Sequence, residues 1–504
     1  MERTFARRPG LRDAMPLARL LRLVTVALLL GALAAPAAHA ASDLELGMAD
    51  DAAVLQDPNT ARAIQTVDAW RDLGVDVVRL FAQWQLIAPR PGSTRAPRGF
   101  DASDPAARGY RWGALDRAVL IVRNAGLRVM MTVTGPGPLW ATARPSRRDR
   151  RVSPRPALFG RFARALARRY GRDVDRYIIW NEPNLPDWLR PQNTCRGRVC
   201  TPAAPHLYRR LARAAYPAIH QADPRAQVLL GALAPRGVAP TSANARLRPL
   251  PFLRALGCVS ARLRRVRTGP CRGFRPATAD AIAYHPHGSL RAPDVSNPNR
   301  DEAPLANLPR LEAVIDGIQR AGGLRNPLGR ARRFDLYFTE YGYQTRPPDR
   351  VDGVSPAKQA RWLQQAAYMA WRAPRVRNLT QYVWRDERVR GVKGGWQSGL
   401  LFRSGRAKPA LRSFPQPFWI DRSVGRRAAL LWGQVRPGET HTVDIQRAAP
   451  GSSAWTTIQT LPTDARGFFT LRVAVTARAD YRFAWVPDGG GPVRASDRRR
   501  VTPR

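Results

Sequence analysis

One alternation governs what this chain can fold into. Between about residues 43 and 385, amphipathic segments pass through a glycine or another turn signal into short continuous apolar runs, over and over. Ala61–Leu73 leads through Gly74 to Val75–Phe81, and Trp112–Asn124 leads through Gly126 to Leu127–Val133. Ala157–Tyr170 leads through Gly171 to Tyr177–Trp180, and His206–Gln221 leads through Asp223-Pro224 to Gln227–Leu233. Leu308–Gln319 leads to Phe334–Phe338, and Gln359–Trp371 leads to Leu379–Trp384. Leu44–Met48 and Ala279–Tyr284 complete eight strand candidates. A period of 3.6 residues buries one stripe of a helix, whereas a strand covered on both faces reads as an unbroken apolar run. Eight such units predict parallel strands with right-handed crossovers, and over ~340 residues a closed (β/α)8 TIM barrel fits better than an open doubly wound sheet. An open sheet also calls for a Gly-rich phosphate loop after an early strand, and the first turn, Met48-Ala49-Asp50-Asp51, has none.

The pattern changes after Phe414. Ala428–Trp432, His441–Gln446, Trp455–Thr460, Phe468–Val475 and Tyr481–Trp485 alternate with period two between Gly/Pro/Asp turns, which predicts a small antiparallel sandwich. Its aromatics (Trp432, Trp455, Phe468, Tyr481, Trp485) mostly fall at core positions. The expected organisation is α/β: a leader over 1–40, a barrel over 41–414, an all-β sandwich over 415–487 and a disordered basic tail over 488–504. The leader reading rests on N-terminal arginines, the uncharged run Leu23–Ala35 and Ala38-His39-Ala40, the n-, h- and cleavage regions of a secretory signal. It implies a secreted or envelope-associated product, with no membrane segment once the leader is removed.

Side chains at the C-terminal ends of barrel strands line the mouth. Two carboxylates stand there directly after apolar runs, Glu182 in Trp180-Asn181-Glu182-Pro183-Asn184 and Glu340 in Thr339-Glu340-Tyr341-Gly342. A charge in such a place is costly without a purpose or partner. Strands four and seven would aim them at each other across the mouth, an arrangement suited to cleaving a glycosidic bond. Trp84, Trp140, Trp188 and Trp384 offer flat apolar faces for sugar rings. His285 and His287 follow strand six, and Tyr343 follows strand seven; all three are counted among the candidate substrate-binding residues.

The two motifs resemble the acid/base and nucleophile motifs of clan A glycoside hydrolases, nearest to family 5 cellulase-like and family 39-like enzymes. The resemblance covers most of residues 43–414 and extends to Arg79, Trp112–Asp116 and Lys408-Pro409-Ala410. It implies a retaining enzyme with Glu182 as acid/base and Glu340 as nucleophile. It further implies that Asn181 binds the sugar 2-hydroxyl, Arg79 holds Glu340 ionised, and Trp384 floors the subsite at the cleaved bond. The chain departs from the family pattern twice. His285-Pro286-His287 stands where relatives often have His-x-Tyr, and no histidine follows strand three, where Thr134-Gly135-Pro136-Gly137-Pro138 stands. These departures argue for a divergent subgroup and against assuming cellulose.

Charge and cysteines bound the setting. The 83 Lys+Arg against 38 Asp+Glu give a net charge of +45, and the only lysines are Lys358, Lys393 and Lys408. Arginines spread over nearly every helical segment suit solvated surfaces better than a nucleic-acid face; an anionic glycan or cell envelope is the partner such a charge would favour. Cys195, Cys200, Cys258 and Cys271 allow three disulfide pairings, of which the sequence-local one (195–200, 258–271) is expected; their spacing suits zinc poorly. The expected function is hydrolysis of a β-linked poly- or oligosaccharide with no cofactor and no metal. A transglycosylase or a non-catalytic glycan-binding envelope protein using the same cleft is the alternative.

Overall fold

A computed structural model describes residues 43–389, 395–487 and 489–503. The expected leader lies outside them. Eight strands form the barrel: β1 (Glu45–Ala49), β2 (Val77–Gln83), β3 (Arg128–Thr134), β4 (Val174–Ile179), β5 (Gln227–Leu233), β6 (Ala281–Tyr284), β7 (Leu336–Tyr341) and β8 (Val376–Tyr382). Every pairing is parallel, each strand lies beside its neighbours in the chain, and β1 closes the circle between β2 and β8. The six helices expected from periodicity all form: Thr60–Asp72, Gly113–Asn124, Pro156–Tyr170, Ala204–Ala222, Leu308–Arg320 and Pro356–Arg372. Asn59 and Ser355 cap the first and last through side-chain oxygens that accept from Arg62 and Lys358 N–H groups.

Strand side chains alternate between the helix layer and the barrel interior. Val77, Met130, Ile178, Leu229, Ala281, Ala283 and Tyr337 make a separate internal cluster, while their neighbours join the core beneath the helices. Two residues further along three of these strands come Arg79, Thr132 and Thr339, all buried. The lower interior is therefore apolar, and the layer above it is polar and faces the mouth. The β7–β8 register shifts between Phe338 and Tyr341. Such a bulge re-aims side chains, here around Glu340.

The chain after the barrel forms two antiparallel sheets. One contains β9 (Phe418–Asp421), β10 (Ala428–Gln434) and β13 (Phe468–Ala474); the other contains β11 (Thr442–Ala448), β12 (Thr456–Pro462) and β14 (Ala479–Trp485). Phe418, Leu431, Ile445, Phe469 and Phe483 fill the space between them. The tail corrects the expectation of disorder. β15 (Arg494–Ala495) and β16 (Arg499–Val501) pair along β14, Val501 is buried, and Arg498 and Arg500 bind the buried Asp480. The arginine run reads as solvated in isolation, but its charge has a partner here.

The described residues form one compact unit. Trp432 and Phe468 leave the sandwich core to pack on Trp371, and Trp432 also meets Tyr368 of the last barrel helix. Arg466 grips Asp76, just before β2, at 2.7 and 2.9 Å and also donates to the Leu44 carbonyl. Disulfides join Cys195 to Cys200 across a short hairpin after β4, and Cys258 to Cys271 in the loop before β6, as expected. No helix among the described residues is long and apolar enough to cross a membrane.

Candidate active site

The polar layer at the mouth is organised by one guanidinium. Arg79, 2% exposed, donates Nε to Thr132 Oγ1 at 2.8 Å, Nη2 to Asn181 Oδ1 at 2.8 Å, and Nη1 to Glu340 Oε1 at 2.5 Å. Phe81 lies 4.6 Å beneath its plane. Strands β2, β3, β4 and β7 thus each contribute to fixing one carboxylate. Bidentate and forked contacts of this kind orient as well as attract.

The second carboxylate comes from the turn after β4. Trp180 and Glu182 take φ values of +68° and +36°, left-handed backbone that costs about 1–3 kcal/mol per residue. Packing holds it in place. A Cβ on Gly135 would stand 2.4 Å from the Trp180 ring, so glycine is required there. Asn184 fixes the other side of the turn through hydrogen bonds with the backbones of Ala234 and Leu247.

His285 joins the two acids. Its Nδ1 stands 3.0 Å from Glu182 Oε1 and 3.5 Å from Glu340 Oε2, which bounds the separation of those oxygens at 6.5 Å. Its Nε2 bonds the Thr339 hydroxyl at 3.1 Å. The ring is wholly buried, and burial pushes its pKa down to about 3, so it is neutral near neutral pH. Glu182 is pushed well above the usual carboxylate range, first by burial and then by the charge of Glu340. Burial works in the same direction on Glu340, but His285, Arg79 and His287 more than offset it, and Glu340 lies below that range. Two acids in one cavity are thus driven apart, one toward the protonated form and one toward the ionised form.

A cleft opens beside them, lined by Asp50, Asp51, Phe81, Gln83, Trp188, Tyr382 and Glu387. Asp50 accepts the N–H groups of Trp384 and Arg385 and so ties the end of β1 to the end of β8. Burial raises Asp50 to about 6 and Asp51 to about 7. Trp188 stacks on Phe81 with centroids 5.7 Å apart.

The structure brings together Glu182, Glu340, Arg79, Asn181, His285 and His287, and it displaces four of the expected aromatic contacts. Trp84 is wholly buried among Trp140, Phe159 and Phe162, and Gly137 is small because the Trp84 ring presses on it. Trp140 donates its indole N–H to the Pro89 carbonyl and packs on Trp84 and Phe100. Tyr343 is buried, donating to the Arg291 carbonyl and packing on Trp362. Trp384 turns toward Trp70, two residues past the strand's end. An aromatic next to a strand end tells nothing of which side of the wall it takes; Trp84, Trp140 and Tyr343 take the core side, and Trp384, packed on Trp70, also lines a second cavity with Asp50 and Glu387.

Two aromatics that sequence reasoning passed over stand in their place. Tyr382, the last residue of β8, lines the cleft, and Trp396 lies edge-on to it at 5.2 Å and stacks over His287 at 5.4 Å. Tyr382 was legible as the strand's end two residues before the Trp384 taken for it. Trp396 lies in a Gly-rich loop with no periodic signal. That loop is pinned from below. Lys408, 1% exposed, donates to Asp386 Oδ1 at 2.7 Å, to Thr345 Oγ1 and to the Gln397 carbonyl. Asp386 is therefore a buried partner of Lys408.

Solved structures similar to this chain include glycoside hydrolases. A family 39 glycoside hydrolase from the gut symbiont Bacteroides cellulosilyticus WH2 aligns at 14% identity over 86% of this chain and 79% of its own, with a TM-score of 0.46. A GH5_18 from Streptomyces cattleya, in complex with GlcNAc, aligns at 16% identity over 73% and 78%, with a TM-score of 0.48. A glucosidase from Croceicoccus marinus aligns at 13% identity over 81% and 89%, with a TM-score of 0.45. No protein-family model and no curated protein sequence matches the chain.

Proposed function

We propose that the protein is a retaining glycoside hydrolase acting on a β-linked poly- or oligosaccharide. One observation carries the reading: two buried carboxylates share His285, with oxygens no more than 6.5 Å apart, and their surroundings push one pKa up and the other down. Carboxyl groups about 5–5.5 Å apart suit double displacement, and wider pairs leave room for a direct water attack.

In the first step Glu340 attacks the anomeric carbon while Glu182 passes its proton to the departing glycosidic oxygen, which takes the bonding electron pair. In the second, a water attacks the same carbon, loses a proton to the Glu182 carboxylate and releases Glu340. Arg79 keeps Glu340 ionised and aimed, and Asn181, held by Arg79, presents its amide to the sugar hydroxyl next to the reacting carbon. Tyr382 and Trp396 take the platform role that sequence reasoning gave to Trp384.

The cleft's own charge points to a neutral sugar. Asp50, Asp51 and Glu387 line it, and the one cation among the described residues that line it, Arg79, is already committed to Glu340 and Asn181. The arginine-rich surface thus bears on where the protein settles, such as an anionic envelope, more than on what enters the site. Hydrolysis of a β-glycan panel by the wild type and by Glu340→Gln tests the reading. Loss of activity in the variant is expected, and equal rates would overturn it. Product analysis at high acceptor concentration separates hydrolysis from transglycosylation.

A further inference from the structure

Two imidazole nitrogens and one carboxylate oxygen converge at the floor of the mouth. His285 Nδ1 is 3.5 Å and His287 Nε2 is 3.7 Å from the same atom, Glu340 Oε2, and all three atoms lie within 4.8 Å of one another. All three residues are buried, with exposures of 0%, 7% and 3%. Arg79 occupies the other oxygen, Oε1, and leaves Oε2 facing the histidines.

The far side of each ring fixes what the near side offers. His287 Nδ1 lies 3.4 Å from the Gly342 carbonyl, so its other nitrogen, Nε2, is the one turned toward Glu340 Oε2. Among the described residues that Nε2 has no partner within hydrogen-bond distance, Glu340 Oε2 lying at 3.7 Å. His285 Nε2 bonds the Thr339 hydroxyl at 3.1 Å, which leaves Nδ1 on the side of the two carboxylates. Imidazoles whose outer N–H is held by a carbonyl or hydroxyl, with the inner nitrogens turned toward a carboxylate oxygen, have the arrangement of metal-ligating histidines. Two histidines and one glutamate form a known zinc ligand set, and donors about 3.3 Å apart would satisfy tetrahedral bonds of 2.0–2.1 Å. The two distances to Glu340 Oε2 already approach that spacing.

We propose that His285, His287 and Glu340 form a site for a borderline-soft divalent cation, zinc foremost, which enters in place of substrate. The binding stands without the hydrolase reading; the competition with substrate rests on it. A bound cation would take the free oxygen of Glu340 and the His285 nitrogen that otherwise faces Glu182. Three protein ligands leave a fourth tetrahedral position for water.

The test is isothermal titration of the full chain with zinc chloride after chelator treatment and desalting, with bound zinc per chain measured alongside. One zinc per chain is expected in the wild type. His287→Gln and Glu340→Gln should each bind at least tenfold more weakly, while His220→Ala, which alters a histidine paired with Asp280 away from the mouth, should bind as the wild type does. Absence of zinc binding in the wild type overturns the proposal, as does unchanged affinity in both site variants. Circular dichroism establishes that each variant is folded, and Glu340→Gln answers the question if His287→Gln is not. Where hydrolysis is measurable, zinc should raise KM and leave kcat unchanged. Tight zinc binding without such inhibition sinks the competition and leaves the site standing, and a chain with no hydrolytic activity still reports its zinc.

Discussion

Arg79 and Glu340 meet as an ion pair withdrawn almost wholly from solvent, with side chains 1% and 4% exposed and the closest nitrogen and oxygen 2.5 Å apart. Breaking a buried pair by removing one partner strands the other charge. Arg79→Met should therefore raise the pKa of Glu340 into or above the ordinary carboxylate range. Activity needs Glu340 ionised, so the acid limb of the pH–kcat/KM profile should move to higher pH, with a fall in kcat at the optimum. An unmoved acid limb in a folded variant would separate Arg79 from Glu340's ionisation.

In the proposed mechanism Glu182 governs the opposite limb. Its pKa is raised, so the protonated form needed for leaving-group protonation persists above the usual carboxylate range, and activity should fall only as the pH rises through that raised value. Glu182→Ala should lose about 10²–10⁴-fold on substrates with poor leaving groups, much less on activated aryl glycosides, and should lose the basic limb. A uniform loss on both substrate types would argue against an acid/base role.

The aromatics divide by the side of the wall they occupy. Trp84→Ala empties a fully buried site among Trp140, Phe159 and Phe162 and should cost about 3–5 kcal/mol of stability. Tyr382→Ala and Trp396→Ala should spare most of the stability and impair turnover. Denaturant unfolding and steady-state kinetics on the three variants would show whether the two effects separate.

How far the sequence disclosed this site follows from what each residue depends on. Eight strands, six helices and both carboxylates were legible because burial periodicity and a polar residue at a strand's end are local features. Both disulfides were legible because each closes a short loop. The side a tryptophan takes was not, since Trp84 and Trp384 reach the core through partners, Phe162 and Trp70, that lie far away in the chain. The joining of Glu182 to Glu340 by His285 depends on three strand ends at once, and the tail's order depends on Asp480 being buried nearby.

Lys408 and Asp386 carry a structural prediction. Their side chains are 0% and 1% exposed beneath the loop bearing Trp396. Lys408→Met alone should destabilise by about 3–5 kcal/mol, and the double change with Asp386→Leu should recover much of that loss. Unfolding curves for the single and double variants would decide; a double variant no better than the single one would mean that the pair's geometry, rather than its charge balance, holds the loop.

The closure of Asp76 by Arg466, together with the seating of Trp432 and Phe468 on Trp371, lies at the end of the barrel opposite the carboxylates. A barrel cut free at residue 414 would leave Asp76 without its arginine, keeping only the Leu46 N–H, and would turn a bare aromatic face to water. The barrel and the C-terminal sheets therefore share one folding fate, and neither is a free-standing cassette.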